Sequence, residues 1–360
     1  MDALSSAATT DYLIVGHGLA GSCLAWALLD RGATVKVVDP DDVVTSSKIA
    51  AGLLTPVTGM RWSLTKGYAD QLLEAYAFYR RRERELGVKA LHPRSAVRLF
   101  HNDEATQRWA SRQGEALTQR FIRRECGPGT LVDTKVYRDP RGGIEMKHAG
   151  YLDTAGYLAA SRAALIGRGM WSTGKVSVED LAVDASGVTW EGRRFGTVVF
   201  CQGWEAAQHP WFDWVPFRSA RGTIVSLETD LGGERRVVNN GAWVLPRHDG
   251  VIRAGATYDM RFDPGKAKIV PPVDITQLEQ KLAAALAVPF TISSAQSAVR
   301  PIIDRQRVLI GRHPGRERVA FFNGLGSKGS VRAPHYAYLL SRHLTLGEPL
   351  PEDCDLRSNL

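Results

Sequence analysis

Cysteine is scarce in this chain. Only four occur in 360 residues, at Cys23, Cys126, Cys201 and Cys354, and no two form a CxxC pair. That spacing argues against a disulfide framework and a cysteine-ligated zinc site, and it suits a reducing compartment, with the cytoplasm as the expectation. The nine histidines form no HExxH or comparable ligand spacing, so the sequence indicates no metal. No low-complexity tract or fixed-period repeat interrupts the chain, which sets aside solenoids and disordered scaffolds. The N-terminal MDALSSAATT has neither a basic n-region nor an apolar h-region and reads as a short flexible lead rather than a secretion signal.

Long apolar runs are also missing, with one exception. From Tyr12 to Leu29, 18 residues pass without Asp, Glu, Lys or Arg, just the length of a membrane helix. Gly16, Gly18 and Gly21 break that run. Tyr12 to Val15 reads as a buried strand, and Ser22 to Leu29 as an apolar helix ended by Asp30, Arg31 and Gly32. Strand, turn and helix fit better than a span, and no membrane partner is expected.

What is present is the composition of a soluble globular protein, 44% hydrophobic and 23% charged. A chain of this length is expected to form two lobes, which can hold a ligand cleft. The net charge of +8 is mostly scattered and reads as solubility, although it also suits an anionic partner. Arg80 to Arg84 and Arg120 to Arg124 are denser. The first cluster suits a helix C-terminus, where the dipole favours cations without any need for RNA.

The spacing Gly16-x-Gly18-x-x-Gly21 has a mechanical meaning at a strand-to-helix turn. The first glycine permits the turn, the second lets backbone approach a pyrophosphate, and the third packs helix against sheet. A second strand, Thr34 to Val38, ends in Asp39, eighteen residues past Gly21. A carboxylate there can accept the hydroxyl protons of an adenosine ribose, so dinucleotide binding is expected.

Further along, Phe195 to Trp204 (FGTVVFCQGW) reads as a buried strand closing on glycine, as though the nucleotide sheet resumes after an excursion. Arg318 to Pro334 (RVAFFNGLGSKGSVRAP) reads as a strand, a loop with Gly324, Gly326 and Gly329, and a helix with Pro334 in its first turn, continuing through Leu344. The small, apolar SSKIAAGLLTPVTGM from Ser46 to Met60 could let a flat ring lie against backbone, or be a plain loop.

Taken in order, these motifs resemble the FAD-dependent oxidoreductases of the D-amino-acid oxidase and glycine oxidase type. HAGYLDTAGYL (His148 to Leu158), VLPRHDGVIRAGAT (Val244 to Thr257) and VRPIIDRQRVLIGRHP (Val299 to Pro314) extend the resemblance over nearly the whole chain. It implies an α/β fold, α+β overall: a discontinuous Rossmann-like FAD-binding domain (1–82, 148–216 and 296–360) and an antiparallel-sheet substrate domain (83–147 and 217–295). It implies non-covalent FAD, with adenosine near Gly16, Gly18, Leu19, Ala20, Gly21, Asp39 and Pro40. Further contacts are implied from Ser46, Ser47, Lys48, Ala51, Gly52 and Leu53, from Val176, Cys201, Gly203 and Trp204, and from Gly324, Leu325, Gly326, Ser327, Lys328 and Gly329.

The substrate lobe carries a hairpin signal, WVLP and VIRAGATY flanking Arg247 to Gly250, whose Asp-Gly suits a turn needing positive φ. Asp274 with Gln277 resembles a capping box. The resemblance makes Arg300 the clamp for a substrate carboxylate; pairing with Asp304 is the structural alternative. Lys328 is expected to place positive charge near the flavin ring. Tyr258 is a candidate substrate contact, with a surface or core tyrosine as the alternative; Arg61, Trp62 and Tyr68 follow the flavin segment and read as packing, with pocket lining as the alternative.

The implied reaction is oxidation of a CH–NH bond in a small amine or amino acid (glycine-like, N-alkyl or D-amino acid) by hydride transfer to flavin N5, giving an imine. Oxygen is the expected acceptor, with hydrogen peroxide formed. The GLGSKG loop looks more like the flavin domain of the bifunctional bacterial enzyme that matures 5-methylaminomethyl-2-thiouridine in tRNA. Oxidation of a carboxymethylaminomethyl group on a tRNA wobble uridine is therefore one alternative, and a non-catalytic FAD-binding protein another.

Overall fold

The computed structural model describes residues 10–64 and 67–359, so most of the N-terminal lead lies outside the described residues. The chain divides into two compact units. One comprises Met1–Lys48, Leu158–Ser219 and Arg300–Leu360, the other Ile49–Tyr157 and Ala220–Val299.

The first unit is built on an eight-stranded sheet. Its order is Leu181–Asp184, Gly187–Trp190, Arg193–Phe200, Thr10–Val15, Val35–Asp39 and Trp171–Thr173, with Arg316–Asn323 also on Arg193–Phe200 and Leu309–His313 beyond it. The strands around Thr10–Val15 run parallel, with Val15 opposite both Val38 and Phe200. The sheet does resume after a long excursion, first with Trp171–Thr173 beside Val35–Asp39 and then with Arg193–Phe200 beside Thr10–Val15. Alternation of buried and exposed side chains is absent from its centre: Leu13, Ile14 and Val15 are all buried, as expected of a strand covered on both faces.

Helix Leu19–Leu29 packs on helix Gly329–Leu346. Its near-complete burial explains the uncharged stretch, and among the described residues no helix is long and apolar enough to cross a membrane. The helix opens at Leu19, not Ser22. Gly18 is its N-cap, and Gly21 lies within its first turn, where a Cβ would come within 1.9 Å of the Gly16 carbonyl oxygen.

Pro334 is likewise displaced from its expected place. Helix Gly329–Leu346 starts as soon as the glycine loop ends, so the proline sits in the second turn and omits the bond to the Ser330 carbonyl.

The second unit carries a nine-stranded sheet, in the order Thr291–Arg300, Ala220–Glu228, Ile252–Gly255, Ala242–Pro246, Val237–Asn240, Leu91–Leu99, Gly143–Leu152 and Leu53–Leu54, with Ile122–Cys126 also on Gly143–Leu152. From Ala220–Glu228 onward the neighbours are antiparallel, except that Val237–Asn240 and Leu91–Leu99 run parallel. The hairpin around Arg247 to Gly250 forms, with Gly250 at φ +84°. Residues 49–82, grouped by sequence with the nucleotide fingerprint, fall in this unit because Leu53 pairs with Tyr151 and helix Tyr68–Leu86 packs on strand Leu91–Leu99. Residues 148–157 fall here too, since strand Gly143–Leu152 runs through the expected boundary.

The capping box at Asp274 is not made. Pro271 and Pro272 start the helix earlier, at Pro272, placing Asp274 inside the first turn. Its buried carboxylate accepts from Thr257 Oγ1 at 2.8 Å and from Thr223 Oγ1. The Arg80 to Arg84 cluster does end a helix, Tyr68–Leu86, and Glu83 and Glu85 pair with Arg80, Arg81 and Arg82.

Candidate active site

In the first unit, the turn between Thr10–Val15 and Leu19–Leu29 is fixed by backbone geometry. Gly16 takes φ +100°, and a Cβ on it would lie 2.6 Å from the Cys201 carbonyl oxygen. A Cβ on Gly18 would lie 2.9 Å from Ser47 Oγ, which itself accepts from Leu19 N at 3.1 Å. The N-cap Gly18 has no side chain to cap this helix start; Ser47 Oγ takes the Leu19 N–H, and the rest of the first turn presents its N–H dipoles to an anion.

Asp39 braces the turn from the next strand. Its Oδ2 accepts from His17 N at 2.6 Å and its Oδ1 from Asp41 N at 2.7 Å. Each oxygen keeps a lone-pair direction for a ribose hydroxyl. A tight glycine cradle, a helix start with glycine at its N-cap and a carboxylate at the strand end together fit the adenosine diphosphate half of a dinucleotide.

A second glycine loop lies in the same unit. Gly324 takes φ +89°, and a Cβ there would meet the Arg307 carbonyl oxygen at 2.4 Å. Gly326 N donates to the Pro301 carbonyl at 3.0 Å, directly after Arg300. Asn323 Nδ2 donates to the Gly203 carbonyl at 2.7 Å, and Lys328 stands at the N-cap of Gly329–Leu346. A Cβ on Gly329 would lie 3.0 Å from Leu19 Cδ1, so the two glycine segments are neighbours.

Residues 11–343 match the sequence profile of the DAO family, described as FAD dependent oxidoreductase. The chain belongs to this family. A curated relative, the tRNA 5-methylaminomethyl-2-thiouridine biosynthesis bifunctional protein MnmC of Aromatoleum aromaticum, is 28% identical over 98% of this chain. The chain spans 59% of that relative's length. Among solved structures, glycine oxidase from Bacillus cereus superposes with a TM-score of 0.77 at 16% identity, over 95% of this chain and 96% of its own. Iminodiacetate oxidase from Chelativorans sp. BNC1 gives 0.73 at 22% identity, over 94% and 97%. The cofactor of this DAO-family chain is FAD, and the fold is that of the FAD-dependent oxidases.

The first unit thus brings together most of the residues singled out by sequence. Gly16, Gly18, Leu19, Ala20, Gly21, Asp39, Pro40, Ser47 and Cys201 surround the fingerprint turn, while Gly203, Trp204 and Gly324 to Gly329 lie at the second loop. Ser46 and Lys48 occupy the short helix Ser46–Ile49. Lys48 Nζ engages Asp41 Oδ1 at 2.9 Å and the Asp42 carbonyl at 2.7 Å, placing its charge beside the turn that follows Asp39. Val176 is buried in the core with Val15 and Val38. Burial pushes the Cys201 thiol well above its ordinary range, so it is no nucleophile.

In the second unit, Ala51, Gly52 and Leu53 are held against strand Gly143–Leu152. Leu152 N donates to the Gly52 carbonyl at 2.9 Å, and a Cβ on Gly52 would lie 1.9 Å from the Leu152 oxygen. Tyr258 is exposed beyond strand Ile252–Gly255. Trp62 and Tyr68 are buried packing residues, Trp62 lying under the Arg98 guanidinium at 3.7 Å.

Sequence reasoning missed His17 and Ser161. Ser161 Oγ accepts from Trp26 Nε1 at 2.8 Å and lies 3.1 Å from His17 Nε2 and 3.0 Å from Ser22 Oγ. Burial first, then the nearby Lys48 and Arg162 cations, push the His17 pKa down to about 3, so the imidazole beside the phosphate turn is neutral. The variable position within a GxGxxG pattern carries no signal for this, and Ser161 lies far away in sequence.

Proposed function

We propose that the chain oxidises the CH–NH bond of a small amine or amino acid, glycine-like, N-alkyl or of D configuration. The supporting observation is the Gly326 N to Pro301 carbonyl bond at 3.0 Å, which ties the flavin-side loop to the end of the strand bearing Arg300. Bound FAD supplies the acceptor for two electrons and the hydrogen leaving the carbon alpha to nitrogen, and water then hydrolyses the imine.

The chain's own residues bind and align. Asp39, Ser47 and the fingerprint glycines seat the adenosine half. Arg300 presents a planar, bidentate fork to the substrate carboxylate. Lys328, at the start of the last long helix, adds positive charge beside the electron-rich side of the ring. An amine that enters neutral needs no strong base, so orientation and exclusion of bulk water carry the rate. Oxygen is the proposed final acceptor, and hydrogen peroxide the second product.

Two observations favour a second reading, a carboxymethylaminomethyl group on tRNA as the substrate. The bifunctional tRNA-modifying protein matches over 98% of the chain. Charge is also divided unevenly: the unit of 49–157 and 220–299 has 27 Lys and Arg against 20 Asp and Glu, the other 19 against 18. Glycine, N-methylglycine, D-alanine and unmodified or carboxymethylaminomethyl-bearing tRNA should be incubated in turn with the holoenzyme, and peroxide and 2-oxo acid measured. Product from a free amino acid supports the first reading, and product from modified tRNA alone the second.

A further inference from the structure

Between Arg300 and Arg307 the chain holds three arginines and one acid, Asp304. Two cations converge on that acid without neutralising it closely: Arg218 Nε is 3.9 Å from Oδ1 and Arg305 Nε 3.8 Å from Oδ2. Exposed pairs at such distances contribute little. Arg332, from the start of Gly329–Leu346, donates through Nη1 to the Gln306 carbonyl at 3.1 Å. Its Nε is buried with no hydrogen-bond partner, and burial holds the guanidinium below its usual pKa.

The backbone of this turn is itself unusual. Arg305 and Gln306 both take φ +56°, a left-handed conformation that non-glycine residues rarely adopt. The Arg305 side chain is 83% exposed, and that of Arg218 67%. Positive charge is concentrated at a strained turn, exposed on Arg218 and Arg305 and buried at the Nε of Arg332.

The turn also abuts the flavin-side loop. A Cβ on Gly324 would meet Ile303 Cδ1 at 2.8 Å as well as the Arg307 carbonyl, and Gly326 bonds Pro301. A substrate whose carboxylate is held at Arg300 would have the remaining cations within the same corner of the first unit.

We propose that Arg218, Arg305 and Arg332 form a subsite for a second anionic group of the amine substrate, a carboxylate or a phosphate. This subsite rests on the amine-oxidation reading for the placement of the first carboxylate at Arg300. It makes the preferred substrate a dianion rather than a simple amino acid. Guanidinium groups suit either anion through paired N–H donors, so the shared chemistry is an oxyanion with two acceptors on one side.

Perturbation of the flavin absorption band in the holoenzyme, titrated with iminodiacetate, O-phospho-D-serine, glycine and D-serine, tests this by binding rather than turnover. The wild type should bind at least one of the two dianions about tenfold or more tighter than the amino acids, equivalent to about 1.4 kcal/mol. The ratio should fall to within about twofold in Arg218→Ala/Arg305→Ala, and largely return in Arg218→Lys/Arg305→Lys. Which dianion leads distinguishes carboxylate from phosphate. Binding of glycine and D-serine with no dianion preference, or a preference that survives the alanine pair, would overturn the subsite alone. If none of the four perturbs the band, the amine reading and the subsite both fall.

Discussion

The backbone N–H of His17 donates to Asp39 Oδ2 at 2.6 Å, so the carboxylate at the end of the second strand braces the glycine turn. Asp39→Ala removes the brace and, with it, the proposed ribose acceptor. Hydrogen bonds to a charged group are each worth about 1.5–3 kcal/mol, so FAD affinity should fall by about tenfold or more. Recovery of FAD fluorescence on dilution measures this, and an unchanged dissociation constant would contradict the assignment.

Gly52 takes φ +67° and has the Leu152 carbonyl oxygen 1.9 Å from where a Cβ would stand. Gly52→Ala must break the Leu152 N to Gly52 carbonyl bond or move the strand. A loss of about 2 kcal/mol or more is expected in urea unfolding. A variant with wild-type stability would mean that this segment is not fixed as described.

Acid stability follows from the buried imidazole of His17. Its pKa falls from 6.5 to about 3 on folding, so the unfolded chain binds the extra proton between those values. Stability therefore decreases as pH falls from about 6.5 toward 3, by up to about 1.4 kcal/mol per pH unit for this group. The facing charges are Lys48 and Arg162, which favour the neutral ring, and Asp41, which opposes them. His92 and His209, both lowered to about 4, act in the same direction. Denaturant unfolding at pH 7, 5.5 and 4.5 should show a shallower decline for His17→Gln than for the wild type; parallel declines would refute it.

The parts of the site legible in the sequence are those written in short-range chemistry. Gly16 to Gly21 and Asp39 lie within one strand–turn–helix–strand unit, and the Asp249-Gly250 turn needs only positive φ. Elsewhere the deciding partner was distant. Asp274 reads as a cap beside Gln277, but Thr223 and Thr257 draw its carboxylate into the interior. Residues near Leu53 follow the nucleotide motif in sequence, yet pair with Tyr151 almost a hundred residues on. Ser161 has no local pattern at all; its role arises because His17, Ser22 and Trp26 meet it in space. Pro334 misled because proline favours first turns in general, whereas here Gly329 already begins the helix.

The most direct test of the central claim is an anaerobic titration of the purified holoenzyme with glycine, N-methylglycine, D-alanine and iminodiacetate, followed across the FAD absorption band. Stoichiometric bleaching of that band by at least one of these amines is the expected result. A fully FAD-loaded protein whose band no amine bleaches, under conditions where dithionite does, would contradict the account.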